Sequence, residues 1–301
     1  MNHKTPLFSI IIPTYNYAEY IEGTIQSVLQ QQGNDYELIV INDGSTDNTD
    51  KVIKKFLSNR KNAIRYFLQE NKGVSATRNK GIDLAKGRYL YFLDSDDKML
   101  NGSLDIFREA IKNHSYVDML IARYFSVYEN GKRKARCLWK LTESKERNFK
   151  NYLLSKDNSL LCSSILFKKT VFANYRFPEH LRLYEDEPVF AYILANFNAL
   201  KVEKEVALVQ KHEGSLRHKV YHGLVERSVD EIFNEQRIPP SFMKYRSAYL
   251  CLKKLDQFRT LFLAGKYQDA WEQYKEAFSY NKRTALQLNF LRKAIKSWLR
   301  K

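Results

Sequence analysis

Phe8-Ser-Ile-Ile-Ile-Pro13 is a short, almost unbroken apolar run rich in β-branched residues and stopped by proline. That pattern predicts a strand buried on both faces. Ile21, Ile25, Val28 and Leu29 then recur at helical spacing, and a Gln-Gln-Gly sequence follows them as a helix end would. The alternation repeats. Glu37 to Ile41 reads as a second strand, and Asn42-Asp-Gly-Ser-Thr-Asp47 carries the residue types that cap a helix, here one running to about Leu57. Ile64 to Leu68 predicts a strand, Val74 to Ala85 a helix closed by Gly87, and Tyr89 to Leu93 a strand ending in Asp94-Ser-Asp-Asp97. Strands alternating with helices, several of them apolar on both faces, predict an α/β fold with a mostly parallel central sheet and helices on both sides.

The second half is less regular. Val117 to Val127, Leu160 to Phe167 and Val202 to Gln210 have strand character, while Glu185 to Asn198 has helical periodicity. After about residue 225 the pattern is helical throughout. Amphipathic segments are expected at roughly 241 to 263, 267 to 280 and 284 to 300, with Pro239-Pro240 and Gly265 as punctuation. The expected organisation is a catalytic domain over residues 1–225 and a basic helical C-terminal region over 226–301.

Charge sharpens this division. Fifty Lys and Arg against thirty-four Asp and Glu leave a net charge of +16 over 301 residues. From Arg237 to Lys301 there are fifteen Lys and Arg against four acids, so most of the excess lies at the C-terminal end. Such a surface attracts polyanions or anionic lipid. Leu288, Leu291, Ile295, Trp298 and Leu299 form an apolar stripe beside Arg292, Lys293, Lys296, Arg300 and Lys301. This suits either a helix lying on an anionic membrane or one docked on the catalytic domain with a solvated basic face. No apolar stretch reaches the roughly 18 residues that a membrane span needs. The apolar run near the start is also shorter than a signal core of about 7 residues, so the expected location is cytoplasmic, with contact on the inner face of the membrane. Cys137, Cys162 and Cys251 are odd in number and far apart, which fits reduced thiols.

In a sheet of this kind ligands bind beyond the carboxyl ends of the strands, where the polar motifs fall. Asp94, Asp96 and Asp97 place three carboxylates in four positions, and charges that close call for a cation. Hard oxygen ligands select Mg²⁺ or Mn²⁺. The same aspartates could instead cap the helix beginning near Gly102, and Asp43 could cap the helix after it. Asn71-Lys-Gly-Val-Ser-Ala-Thr-Arg-Asn79 enters a helix with amides and Arg78 able to meet an anion.

Ser9-Ile-Ile-Ile-Pro-Thr-Tyr-Asn16, Ile41-Asn-Asp-Gly-Ser-Thr-Asp47, the 71–79 segment and Asp94-Ser-Asp-Asp97 together resemble, in order and spacing, the family 2 inverting glycosyltransferases of the GT-A fold. The resemblance covers about the first 100 residues. It implies a nucleotide-sugar donor, UDP-linked, with Pro13, Thr14 and Tyr15 bordering the base and Asp43 on uracil or ribose. It further implies Asn71 and Arg78 on the nucleotide, Asp94 at the ribose or metal, and Asp96 as metal ligand. Tyr184-Glu-Asp-Glu-Pro-Val-Phe190 resembles the family's acidic pair opening a helix, which makes Asp186 the general base, and His212 falls where some members add a metal ligand. The alternative for Glu185, Asp186 and Glu187 is capping of that helix. Arg217 and Lys219 could meet phosphates, whereas His218 and His222 lack a surrounding zinc signature. The processive branch's Gln-x-x-Arg-Trp motif is absent, so one sugar per encounter is expected, transferred to a saccharide or lipid-linked glycan of a bacterial surface. The rival readings are a nucleic-acid-binding protein using the basic helices and a catalytically silent nucleotide-sugar sensor. The first conflicts with the carboxylates in the crevice, and the second with the retention of Asp94, Asp96 and Asp186 together.

Overall fold

The structure, a computed structural model, describes residues 5–59, 64–136, 140–155, 160–211 and 223–300. The first half alternates as its hydrophobic pattern requires. Strands β1 (Phe8–Thr14), β2 (Tyr36–Asn42), β3 (Ile64–Leu68) and β4 (Tyr89–Phe92) are separated by helices α1 (Ile21–Leu29), α2 (Thr49–Asn59) and α3 (Val74–Leu84). These strands pair in parallel in the order β3-β2-β1-β4, and every residue of β1 and β4 is buried. Burial on both faces explains the continuous apolar runs. Gly81 and Gly87 let α3 and its exit loop approach β1 closely, since a Cβ on either would stand 2.5 Å from an atom of Ile11 or Ser9.

Beyond β4 the sheet becomes mixed. Short β5 (Lys98–Met99) and helix α4 (Ser103–Asn113) lead to β6 (Met119–Tyr128), β7 (Arg133–Arg136), helix α5 (Lys145–Leu154), β8 (Ile165–Lys168), helix α6 (Glu187–Asn196) and β9 (Ala199–Lys211). The order continues β4-β8-β6-β9-β5, with β7 on β6. β8 runs antiparallel to both β4 and β6, so β6 again points the same way as β4. The mostly parallel sheet that the sequence predicts is thus parallel in its first half and at β6–β9, with antiparallel strands between and beside them. The expected strand at 160–167 is shorter, because Cys162–Ser164 form a 3-10 turn before β8.

Two cores cover the faces of the sheet. One includes Ile11, Phe92, Phe167, Phe190 and the apolar face of α7 (Leu224–Ile232), and reaches Leu250 near the start of α8 (Arg246–Leu263). The other packs α1 and α4 on the opposite face through Ile25, Val28, Leu104 and Phe107. A third, smaller core joins α8 to α9 (Tyr267–Tyr280), α10 (Lys282–Ala285) and α11 (Leu288–Arg300) through Leu255, Phe258, Ala270, Tyr274 and Ala294. Among the described residues no helix is long and apolar enough to cross a membrane. Cys162 and Cys251 are buried free thiols, and Cys137 lies outside the described residues.

Candidate active site

Three loops meet at the carboxyl edge of β1, β2 and β4, and backbone and side chains tie them together. Asn16, in the left-handed region at φ 59, accepts hydrogen bonds on its side-chain oxygen from the amides of Thr46 and Asp47, while its own amide donates to Ser45 Oγ at 2.9 Å. The loop after β1 is thereby locked to the loop after β2. Pro13 and Thr14 are buried at this edge, and Tyr15 is exposed beyond it. The Thr14 hydroxyl is buried without a hydrogen-bond partner among the described residues.

Asp43 is buried and accepts three hydrogen bonds, from Gln69 Nε2 at 2.7 Å and from the amides of Lys72 at 2.9 Å and Gly73 at 2.8 Å. Its carboxylate thus orders the entrance of α3, not that of the helix following it in sequence. The exposed Asn71 lies within the segment so held. Gly44 permits the close approach: its φ is +73 and a Cβ there would stand 2.9 Å from the Asn71 amide.

Arg78 lies on α3 below the crevice and is buried. Its terminal nitrogens donate at 2.9 Å to Asp94 Oδ1 and at 2.9 Å to Glu185 Oε1, and the guanidinium lies over the Phe177 ring at 5.2 Å. Both charge-assisted bonds are made within the protein, so Arg78 acts here as a clamp between the loop after β4 and the entrance of α6.

Asp94, Asp96 and Asp97 divide unequally. Asp94 and Asp96 are half-buried at the crevice, whereas Asp97 is buried, with Oδ1 accepting from the Gln210 amide at 3.1 Å. Burial first, then the charges of Asp96 and Asp94, push the Asp97 carboxyl well above the usual range. Ser163, buried in the turn before β8, accepts from the Asp94 amide at 3.1 Å and also hydrogen-bonds Asp97. Tyr17 feels the same field: burial and then the charges of Asp96, Asp94 and Asp97 hold its hydroxyl protonated. None of these aspartates caps α4, whose entrance is Gly102 with no side-chain cap.

Asp186 is the N-cap residue of α6 by position, yet its side chain makes no capping hydrogen bond. Burial first, then the charges of Glu185 and Glu187, push its pKa up to about 7, with Arg78 opposing and Asp94 adding to the rise. Glu187 turns away from the crevice, accepting from the Tyr249 hydroxyl at 2.8 Å and pairing with Lys253 of α8. Thus the three acids open the helix in three different environments, and the Asp186 carboxyl, raised to about 7, sits between two carboxylates that pair with Arg78 and Lys253.

At the carboxyl edge that carries Pro13, Thr14 and Tyr15, Asp43 is thus bonded to the segment after Asn71, and Arg78, Asp94, Asp96 and Asp186 are linked through hydrogen bonds and charge. His212, Arg217, Lys219, His218 and His222 lie outside the described residues. Ser163, Phe177, Tyr249 and Lys253 are contributors that the sequence does not reveal, since each reaches the site only through pairing or packing with distant segments. Among the described residues no three His, Cys, Asp or Glu side chains form a metal cage. Asp94 and Asp96 nonetheless fit a hard divalent cation shared with a diphosphate, because one or two carboxylates suffice for such an ion. The field they impose on Tyr17 and Asp97 is the field that a cation would neutralise.

Residues 9–175 match the family model for glycosyl transferase family 2. The chain belongs to glycosyl transferase family 2. It is 40% identical over 105 residues to TuaG of Bacillus subtilis, a glycosyltransferase named for teichuronic acid biosynthesis, covering 35% of this chain and 42% of that one. It is 32% identical over 179 residues to the GalNAc(5)-diNAcBac-PP-undecaprenol beta-1,3-glucosyltransferase of Campylobacter jejuni, covering 58% and 55%. The matched regions thus span about half the length of these two relatives. The structure of residues 1–349 of Staphylococcus aureus TarS in complex with UDP-GlcNAc superposes with a TM-score of 0.64 at 23% identity, covering 96% of this chain and 79% of that chain. The GT-A fold of this chain follows from both the family match and that superposition.

Proposed function

We propose that this glycosyltransferase moves a single sugar from a UDP-linked donor to a saccharide or lipid-linked acceptor of a bacterial surface glycan, inverting the anomeric centre by single displacement. The observation that carries the reading is the Arg78 clamp. It ties the carboxylate-rich loop after β4 to the helix bearing Asp186, so that a base pushed up to about 7 faces the loop suited to a metal-bound diphosphate. The names of the Bacillus and Campylobacter relatives support the surface-glycan acceptor, and the UDP-GlcNAc in the TarS complex supports the donor class.

In this reading Pro13, Thr14 and Tyr15 border the base, and the 71–73 segment ordered by Asp43 lies along the nucleotide. Asp43 itself adds an acceptor for uracil or ribose only through lone pairs left by its three internal bonds. Asp96, with Asp94 beside it, would hold Mn²⁺ or Mg²⁺, with His212 as the candidate additional ligand. The bound ion supplies positive charge opposite the departing diphosphate. Asp186 accepts the proton of the acceptor hydroxyl as that oxygen bonds to the anomeric carbon. The bond from this carbon to the phosphate oxygen breaks, and UDP leaves with the electron pair.

The test is UDP release from a panel of UDP-sugars with Mn²⁺ or with EDTA, comparing wild type with Asp96→Ala and Asp186→Asn. Metal-dependent release from one donor, abolished by Asp96→Ala, is expected. Absence of both turnover and donor binding by calorimetry would remove the donor assignment and leave a nucleic-acid partner for the basic helices as the reading to examine by salt-dependent RNA retention.

A further inference from the structure

Helix α11 turns the large apolar residues of its C-terminal half outward. Ala294 and Ser297 are buried, with Ala294 in the core shared with Ala270 and Tyr274, and Phe290 packs partly against it. The large residues point elsewhere: Ile295 is 50% exposed, Trp298 51% and Leu299 69%. A helix that used its apolar stripe for docking on the protein would bury these and expose the small residues. Here the small residues make the contact.

The flank of the exposed stripe is cationic. Arg292, Lys293, Lys296 and Arg300 lie on α11, which carries no acidic residue, and none of the four pairs with a described carboxylate. Lys296 extends over the Phe262 ring at 5.8 Å, and Arg300 donates to the Tyr267 hydroxyl at 3.1 Å, so both stems run along the α8–α9 turn. Leu263, next to Phe262 in that turn, is also exposed. Isolated exposed leucines are ordinary on protein surfaces, but a one-sided cluster containing tryptophan with cations beside it has the composition of an interfacial helix.

We propose that α11 docks this protein on an anionic lipid surface, with Ile295, Trp298 and Leu299 entering the boundary between headgroups and acyl chains while Arg292, Lys293, Lys296 and Arg300 meet lipid phosphates. Charge complementarity selects this occupant. The basic excess from Arg237 onward suits an anionic lipid surface, while an uncharged protein partner would leave the four cations desolvated and unpaired. The inference does not depend on the sugar-transfer chemistry, since none of these residues lies at the crevice.

The experiment is co-sedimentation of the full chain with vesicles of phosphatidylcholine alone and of phosphatidylcholine with one-third phosphatidylglycerol, at low and high salt. Binding to the anionic vesicles, weakened by salt and accompanied by a blue shift of tryptophan fluorescence that Trp298→Phe removes, is expected. Trp298→Ser with Leu299→Ser should weaken the partition by about tenfold or more, and Arg292→Gln or Lys293→Gln by about fivefold each. Trp298→Phe should retain binding, and the melting temperature should be unchanged in each variant because Arg292, Trp298 and Leu299 are exposed and Lys293 is half-buried. No binding, or equal binding to both vesicle types, overturns the proposal. So does a concentration-dependent dimer abolished by the Trp298→Ser, Leu299→Ser variant, which would assign the face to a second copy of the chain.

Discussion

Arg78 and Glu185, 107 positions apart in sequence, are joined at 2.9 Å within the protein, and the same guanidinium reaches Asp94 at 2.9 Å. Two segments that carry different parts of the proposed chemistry are thus held by one buried cation. Its removal leaves Glu185 partly buried and unpaired. Arg78→Leu is expected to lower unfolding stability by about 3–5 kcal/mol, read by urea denaturation, and Arg78→Lys to recover only part of it because one ammonium does not reproduce the two-ended fork.

If Asp186, pushed up to about 7, is the base proposed above, the rate should depend on pH. Its base form grows as pH rises, so acceptor-dependent transfer should climb through pH about 7 and level off above it. Asp186→Asn should reduce transfer by about 10²–10⁴-fold while donor affinity by calorimetry stays within a few-fold. The stability sign is opposite. A carboxyl whose folded pKa lies above its unfolded value favours the folded state fully below about pH 4, and that contribution is lost as pH rises to about 7. The wild type should therefore lose stability over this interval relative to Asp186→Asn, as melting curves at several pH values would show.

Lys253 contributes from the C-terminal helices. It pairs with Glu187 and lies over the Tyr184 ring at 4.3 Å, so it balances one of the two acids that raise Asp186. Lys253→Met should shift the rising limb of the rate profile to higher pH and cost about 3 kcal/mol of stability, whereas Lys253→Arg should restore the limb. An unchanged profile in Lys253→Met would mean that the pair serves packing alone.

Gly44 provides a backbone test of the donor side. Its φ of +73 and the 2.9 Å from a built Cβ to the Asn71 amide leave no room for a side chain without moving the segment that Asp43 orders. Gly44→Ala should cost about 1–2 kcal/mol of stability, and it should weaken UDP binding in calorimetry more than it changes the transfer rate at saturating donor.

Much of the first hundred residues was legible because the physics there is local. A strand buried on both faces must be continuously apolar, and the loops following such strands must carry the polar groups, so β1, β2 and β4 and the motifs at Thr14, Asp43 and Asp94 stand out in the sequence. Between Asp97 and about residue 225 the signal fades, returning in the amphipathic helices α8, α9 and α11. The mixed pairing of β8, β6 and β9 depends on partners far apart in the chain, and α5 has a mostly polar sequence that packs through Phe149, Tyr152 and Leu153.

The sequence by itself determined the alternating α/β half, the family, the carboxylate loops and the amphipathic nature of α11. Tertiary structure alone decided that Asp43 orders α3, that Arg78 clamps Asp94 to Glu185, that Lys253 balances Glu187, and that Ile295, Trp298 and Leu299 of α11 face outward. The reason is physical: periodicity records which residues share a face of one element, while ion pairing and burial depend on what the rest of the chain places against that face.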